Sequence, residues 1–222
     1  MTFRSPLEAD LDRIRTLFLQ MCVRAESMVR LSVRSVMERD AYLGRSVVAA
    51  DGDLDELELK IDQLCVQVLD ERHPSGEDLR VVTTVMKMVT DLERIGDLAS
   101  NVAKRGLDLS AGSGYEPGFE LTMMGEGAAE MIRLAADAFV AQDTALAQDV
   151  LSRDRQIDQI NREVFERAVQ EMAAHSDQVD RVLQMTSISK YLERAGDHAC
   201  NLAEMVVFLV DGHDVRHTRR KR

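Results

Sequence analysis

The chain has 222 residues, a formal net charge of −11, 30% charged residues, only 4% aromatics, three prolines and no tryptophan. That charge disfavours broad nucleic-acid binding, which depends on neutralising phosphates, and the wealth of Ala, Leu, Val, Met and charged residues is that of long packed helices. Three cysteines (Cys22, Cys65, Cys200) without CxxC spacing fit small core residues in a reducing compartment; with no apolar leader and no run of about 18 apolar residues, a cytoplasmic protein without direct membrane insertion is expected.

Ser5-Pro6 predicts the first helix start, a capping serine followed by proline at the first helical position. Its apolar stripe runs Leu7, Leu11, Ile14, Leu17 or Phe18, Met21, Ala25, Met28, Leu31 or Ser32, Ser35 or Val36. A second helix is expected from near Asp53, with Leu54, Leu57, Ile61, Leu64 and Val68 inward and His73-Pro74-Ser75-Gly76 closing it. The third opens on Glu77-Asp78, acids suited to the positive end of a helix dipole, and continues through Val82, Val85, Met86, Val89, Leu92, Ile95, Leu98 and Val102.

The glycine- and serine-rich stretch from Gly106 to Gly118 reads as a linker. Three more helices follow, at about Phe119–Gln142, Thr144–Ala174 and Asp177–Val210. The fold expected is all-α: two tandem, sequence-related three-helix bundles, at 1–108 and 119–212, joined by a linker at 109–118. The basic tail at 213–222, ending RHTRRKR, has no copy in the first half and reads as a solubilising end or a docking signal.

The two halves repeat each other. Leu92 to Ala103 reads LERIGDLASNVA and Leu192 to Ala203 reads LERAGDHACNLA, with eight of twelve positions identical. Upstream, an offset of 103 pairs Met28-Val-Arg-Leu31 with Met131-Ile-Arg-Leu134, Asp40 with Asp143, Asp51 with Asp154 and Asp55 with Asp158. The offset falls to 100 between Leu69 and Leu92, so the extra residues belong to the connection around His73–Gly76.

Glu93, Asp97 and Asn101, and Glu193, Asp197 and Asn201, stand four apart. At that spacing each trio forms one drifting stripe of oxygen donors, about 5–6 Å between neighbouring Cβ atoms. Two anions so close repel unless compensated, and a hard cation held by carboxylate and amide oxygens is one compensation. Asp51/Asp55 and Asp154/Asp158 add acids near a helix start, with Asp55 and Asp158 secondary candidates should they face the stripes. The alternative is a solvated face or an ion pair with Arg94 or Arg194. Those arginines follow the glutamate directly, about 100° round the helix, which suggests pairing with another helix. Gly96 and Gly196, each costing about 1 kcal/mol in a helix interior, point to close helix packing or to room for whatever the acids hold.

No Walker A loop, GxSxG elbow, HExxH or ExxH pair accompanies the stripes. Glu171 and His175 read as a helix end. His198 is not expected to be an essential ligand, because Leu98 holds the equivalent place. Met21, Met28, Met86, Met131 and Met185 read as core fillers.

The doubled Leu-Glu-Arg-x-Gly-Asp motif with its following asparagine, together with Asp78-Leu-Arg80 after Pro74, resembles the PhoU family of bacterial phosphate-signalling regulators over about residues 5–210. The resemblance implies two three-helix bundles with metal clusters on their surfaces. Its ligands would be Glu93, Asp97, Glu193 and Asp197, then Asn101 and Asn201; Asp55 and Asp158 come from the internal repeat. Divalent or multinuclear ions are implied, without distinguishing iron, zinc, manganese, magnesium or calcium. It further implies a non-enzymatic adaptor, expected as a homodimer, that represses phosphate-starvation signalling and restrains uptake through the phosphate ABC transporter's ATPase subunit and a sensor histidine kinase. The rivals from the residues alone are a carboxylate-bridged metalloenzyme and a metal-independent acidic docking protein.

Overall fold

Backbone amides at a helix start need acceptors, and the sequence supplies them at the main turns. The computed structural model describes residues 5–110 and 117–212. Ser5 forms a full capping box with Glu8, accepting from its N–H at 3.2 Å while Glu8 Oε2 accepts from the Ser5 N–H at 2.7 Å. This starts α1 (Pro6–Met37), followed by α2 (Ala41–Arg72), α3 (Gly76–Ser110), α4 (Phe119–Ala141), α5 (Thr144–Ala174), a 3-10 turn (Ser176–Gln178) and α6 (Val179–Asp211). Among the described residues there is no strand.

Three boundaries differ from expectation. α2 begins at Ala41, not near Asp53, because Asp40 caps it, accepting from the N–H groups of Tyr42 and Leu43 at 2.9 and 3.0 Å. The repeat partner Asp143 caps α5 in the same way, from Ala145 and Leu146. α3 continues to Ser110, into the stretch expected to be linker. α6 starts at Val179, after the 3-10 turn takes up residues 176–178. The remaining linker residues 111–116 and the basic tail at 213–222 lie outside the described residues.

The stripes resolve as helix packing requires. Phe18 rather than Leu17, and Ser32 rather than Leu31, are fully buried in α1. All five predicted α2 positions are buried, and Gly44 and Val47 extend that stripe towards Asp40. Within each half the three helices pack on one another; α3 also packs on α6, and α1 on α4. The apolar interior therefore forms one cluster running through both halves. Phe18 and Phe139 meet inside it with ring centroids 4.6 Å apart and planes tilted by 57°, a tilted pairing that contributes about 0.5–1.5 kcal/mol beyond burial.

The three cysteines are buried thiols. Burial pushes Cys65 up to about 12 and Cys22 higher still, so both stay protonated and unreactive. Met21, Met28, Met131 and Met185 are core residues, with Met86 half-buried. His175 stands just beyond α5, its N–H bonded to the Glu171 carbonyl at 2.8 Å, so that pair is a helix end.

Candidate functional site: paired carboxylate clusters

The repeated acids project from α3 and α6 towards the helix that precedes each. A methyl group placed on Gly96 would lie 2.3 Å from Leu54 Cδ2 and 3.7 Å from Asp51 Oδ1; one on Gly196 would lie 3.3 Å from Ile157 Cδ1 and 3.8 Å from Asp154 Oδ1. Each glycine thus lets α2 or α5 lie close, which brings the aspartates of those helices beside the motif. Close packing and a shared acidic face are one arrangement here.

In the first half, Asp55, Glu58 and Asp97 all act on the charge of Glu93, and Asp97 and Asp55 act on Asp51. Desolvation against the neighbouring helices and then these like charges push Asp51 and Glu93 above the usual carboxylate range. The Ser100 hydroxyl and Lys104 partly offset the effect at Asp51, as Arg94 does at Glu93. Glu58 is raised by burial and by Asp62 and Asp55, and Asp62 by burial. One oxygen of Asp62 is buried with no hydrogen-bond partner. Glu58 and Asp62 were absent from the sequence expectation, although Asp51, Asp55, Glu58 and Asp62 follow the i, i+4, i+7, i+11 spacing of a single helix face.

The second half holds a smaller set. Asp197 is pushed up to about 6, first by desolvation and then by Glu193, Asp154 and Asp158, although its outer edge meets solvent. At the positions matching Glu58 and Asp62 stand Asn161, which accepts from the Ser189 hydroxyl at 2.7 Å, and Phe165, which is exposed. The first cluster thus spans six acids and the second four.

The expectation for Arg94 is corrected. It pairs with its own helix, placing Nε 3.4 Å from Glu93 Oε2 and Nη1 3.2 Å from Asp97 Oδ2. A long guanidinium stem sweeps back across the turn that separates adjacent Cβ directions. In the second half Lys190 takes this place, with Nζ 2.6 Å from both Glu193 oxygens. Asn201 turns towards α3 and donates from Nδ2 to Asp91 Oδ1 at 2.8 Å, beside His198 Nδ1 at 2.7 Å from the same oxygen. Asn101 is half-buried on the matching face of α3.

Among the described residues no three His, Cys, Asp or Glu side chains converge tightly enough to hold a metal ion as they stand. The donor set nonetheless suits a hard cation: all oxygens, on two neighbouring helices, carrying negative charge that one arginine or lysine leaves only partly compensated.

These raised carboxylates set a pH dependence. A group whose folded pKa lies above its unfolded value stabilises fully below the unfolded pKa and loses that contribution as pH rises through the folded one. Chelator-treated protein is therefore expected to gain Tm between pH 7.5 and about 5, with Asp197 acting between about 6 and its ordinary 3.8. Glu120 and Glu130, lowered by hydrogen bonds, oppose this only nearer pH 4. Calorimetry across that range, repeated on Asp197→Asn, should show a smaller gain in the variant; an unchanged profile refutes the assignment.

The PhoU domain model matches the chain twice, over residues 18–106 and 121–206. A phosphate-specific transport system accessory protein PhoU homolog of Pseudomonas putida is 36% identical over 215 residues, 96% of this chain and 84% of that protein. The homolog of Pseudomonas aeruginosa is 36% identical over 210 residues, 94% of this chain and 87% of that protein. The crystal structure of PhoU from P. aeruginosa has a TM-score of 0.89 at 34% identity, covering 93% of this chain and 99% of that one. The phosphate transport system regulatory protein PhoU from Streptococcus pneumoniae shares the fold, with a TM-score of 0.87 at 24% identity, covering 94% and 99%.

Proposed function

Because the chain belongs to the PhoU family, we propose that it is the accessory regulator of a phosphate transport system, with no chemistry of its own. It restrains uptake and represses phosphate-starvation signalling by docking on the transporter's ATPase subunit and on a sensor histidine kinase. The observation that carries this reading is the paired mounting of the carboxylates on the α2–α3 and α5–α6 faces, with solvent access on Asp97 and Asp197. Open faces suit recognition, whereas a metalloenzyme needs an enclosed pocket.

Cations bound by Glu93, Asp97, Glu193 and Asp197, with Asp55 and Asp158 beside them, would neutralise each face and hold its two helices in register. Such ions supply only charge and cross-linking; the docking surface belongs to the protein. No helix among the described residues is long and apolar enough to cross a membrane, and the proposed location is the cytoplasmic side of the transporter, as a homodimer.

The Arg94 and Lys190 pairs favour one further reading, a metal-independent acidic docking face whose charge is managed by its own helices. Pulldown of the ATPase subunit and the kinase separates the two. The cation reading expects capture in Mn²⁺ and loss in EDTA. The electrostatic one expects capture in EDTA that Glu93→Gln with Asp97→Asn abolishes. Capture of neither partner in any condition sinks the regulatory proposal.

A further inference from the structure

The seam between the halves carries a polar contact that the repeat does not explain. Taking Glu193 as reference, successive helix rotation of about 100° per residue places Asp197 at roughly 40°, Asn201 at 80° and His198 at 140°. Asn201 therefore sits between the carboxylate face and the α3 face of α6. Asp91, on α3, receives both Asn201 Nδ2 and His198 Nδ1 on a single oxygen, with the His198 and Asp91 side chains 21% and 19% exposed.

An ionised carboxylate only accepts hydrogen bonds. Asp91 therefore dictates which end of the Asn201 amide faces it: the NH₂ turns to the seam and the carbonyl oxygen turns away. The same carboxylate orients the His198 ring, one residue from Asp197. The position matching Asp91 in the second half is Tyr191, whose hydroxyl both donates and accepts, so Asn101 has no equivalent director.

We propose that Asp91 of the first bundle is a positioning residue for the second carboxylate cluster, fixing Asn201 and His198 around Asp197 and so linking cation binding on one bundle to the seam with the other. This rests on the reading that the clusters hold cations. Partners that orient ligands typically alter metal affinity by 10–100-fold when removed.

Mn²⁺ broadening of the Gly196 amide signal in NMR with the first cluster removed by Glu93→Gln and Asp97→Asn, and of the Gly96 signal with the second removed by Glu193→Gln and Asp197→Asn, reads the two clusters separately in the full chain. Asp91→Ala is expected to raise the Mn²⁺ concentration that broadens Gly196 about tenfold, leaving that for Gly96 within roughly twofold. Asp91→Asn, which retains an acceptor oxygen, is expected to shift Gly196 by less. Equal shifts at both glycines, or none, overturn the proposal. Should the alanine variant fail to fold, the asparagine variant decides by the same comparison. Absence of broadening at either glycine in the native protein overturns the cation reading and this proposal together, whereas broadening with no selective shift overturns this one alone.

Discussion

Replacing Glu93 and Glu193 by Gln and Asp97 and Asp197 by Asn in one protein is expected to raise the Tm of the chelator-treated chain and abolish the further rise that Mn²⁺ brings. The two effects have one cause. Without a cation, each cluster confines several carboxylates whose charges raise one another's proton affinity, and neutral amides remove that repulsion. The variant also gives up the Arg94 and Lys190 ion pairs, but both cations are more than half exposed and such pairs contribute about 0–1 kcal/mol.

With the native acids, a ligand that binds only the folded state stabilises it by about 2.7 kcal/mol at a hundredfold excess over Kd. For a chain of this size that corresponds to a Tm rise of roughly 5–10 °C. Calorimetry of both proteins with and without Mn²⁺ reads all four values. A variant that still gains Tm in Mn²⁺ moves the cation away from these residues. A variant less stable than native in chelator shows that the ion pairs outweigh the repulsion.

The helices and the doubled motif were legible because each depends on local pattern: capping residues, apolar spacing and identity between halves. What the sequence left open depends on how helices meet. Whether Asp51 and Asp55 face Glu93 is decided by how near α2 lies to α3, which Gly96 and Leu54 set together. Glu58 and Asp62 escaped because Asn161 and Phe165 stand opposite them in the repeat, so a search for what the halves share discards what they do not. The same habit set His198 aside in favour of Leu98, although its role lies in the asymmetric seam with Asp91. Arg94 was misassigned by treating a Cβ direction as the position of a charge several bonds away. The start of α2 was hidden by Gly44 and Gly52, poor helix formers that the Asp40 cap and the buried Gly44–Val47 face overcome.

The two motif glycines should respond to alanine in opposite senses although both stand in the repeated Leu-Glu-Arg-x-Gly-Asp motif, behind Ile95 in one half and Ala195 in the other. At Gly96 the added methyl would stand 2.3 Å from Leu54 Cδ2, and Leu54 is 1% exposed in a packed core. The leucine must leave its rotamer or push α2 outward, and overpacking of this kind costs about 1–3 kcal/mol. At Gly196 the nearest atom is Ile157 Cδ1 at 3.3 Å, a branch end that yields by a few tenths of an ångström. There the helix-propensity gain of about 1 kcal/mol over glycine dominates. The same gain offsets part of the cost at Gly96, so Gly96→Ala is expected to destabilise and Gly196→Ala to hold or gain stability, the pair separated by the overpacking cost of about 1–3 kcal/mol in urea unfolding. Movement of α2 would also spread Asp51 and Asp55 from Glu93, so Gly96→Ala should weaken Mn²⁺ binding at the first cluster more than Gly196→Ala does at the second. Equal stabilities would mean that the α2–α3 approach is no tighter than the α5–α6 one, and the tie between close packing and the acidic face would fail with it.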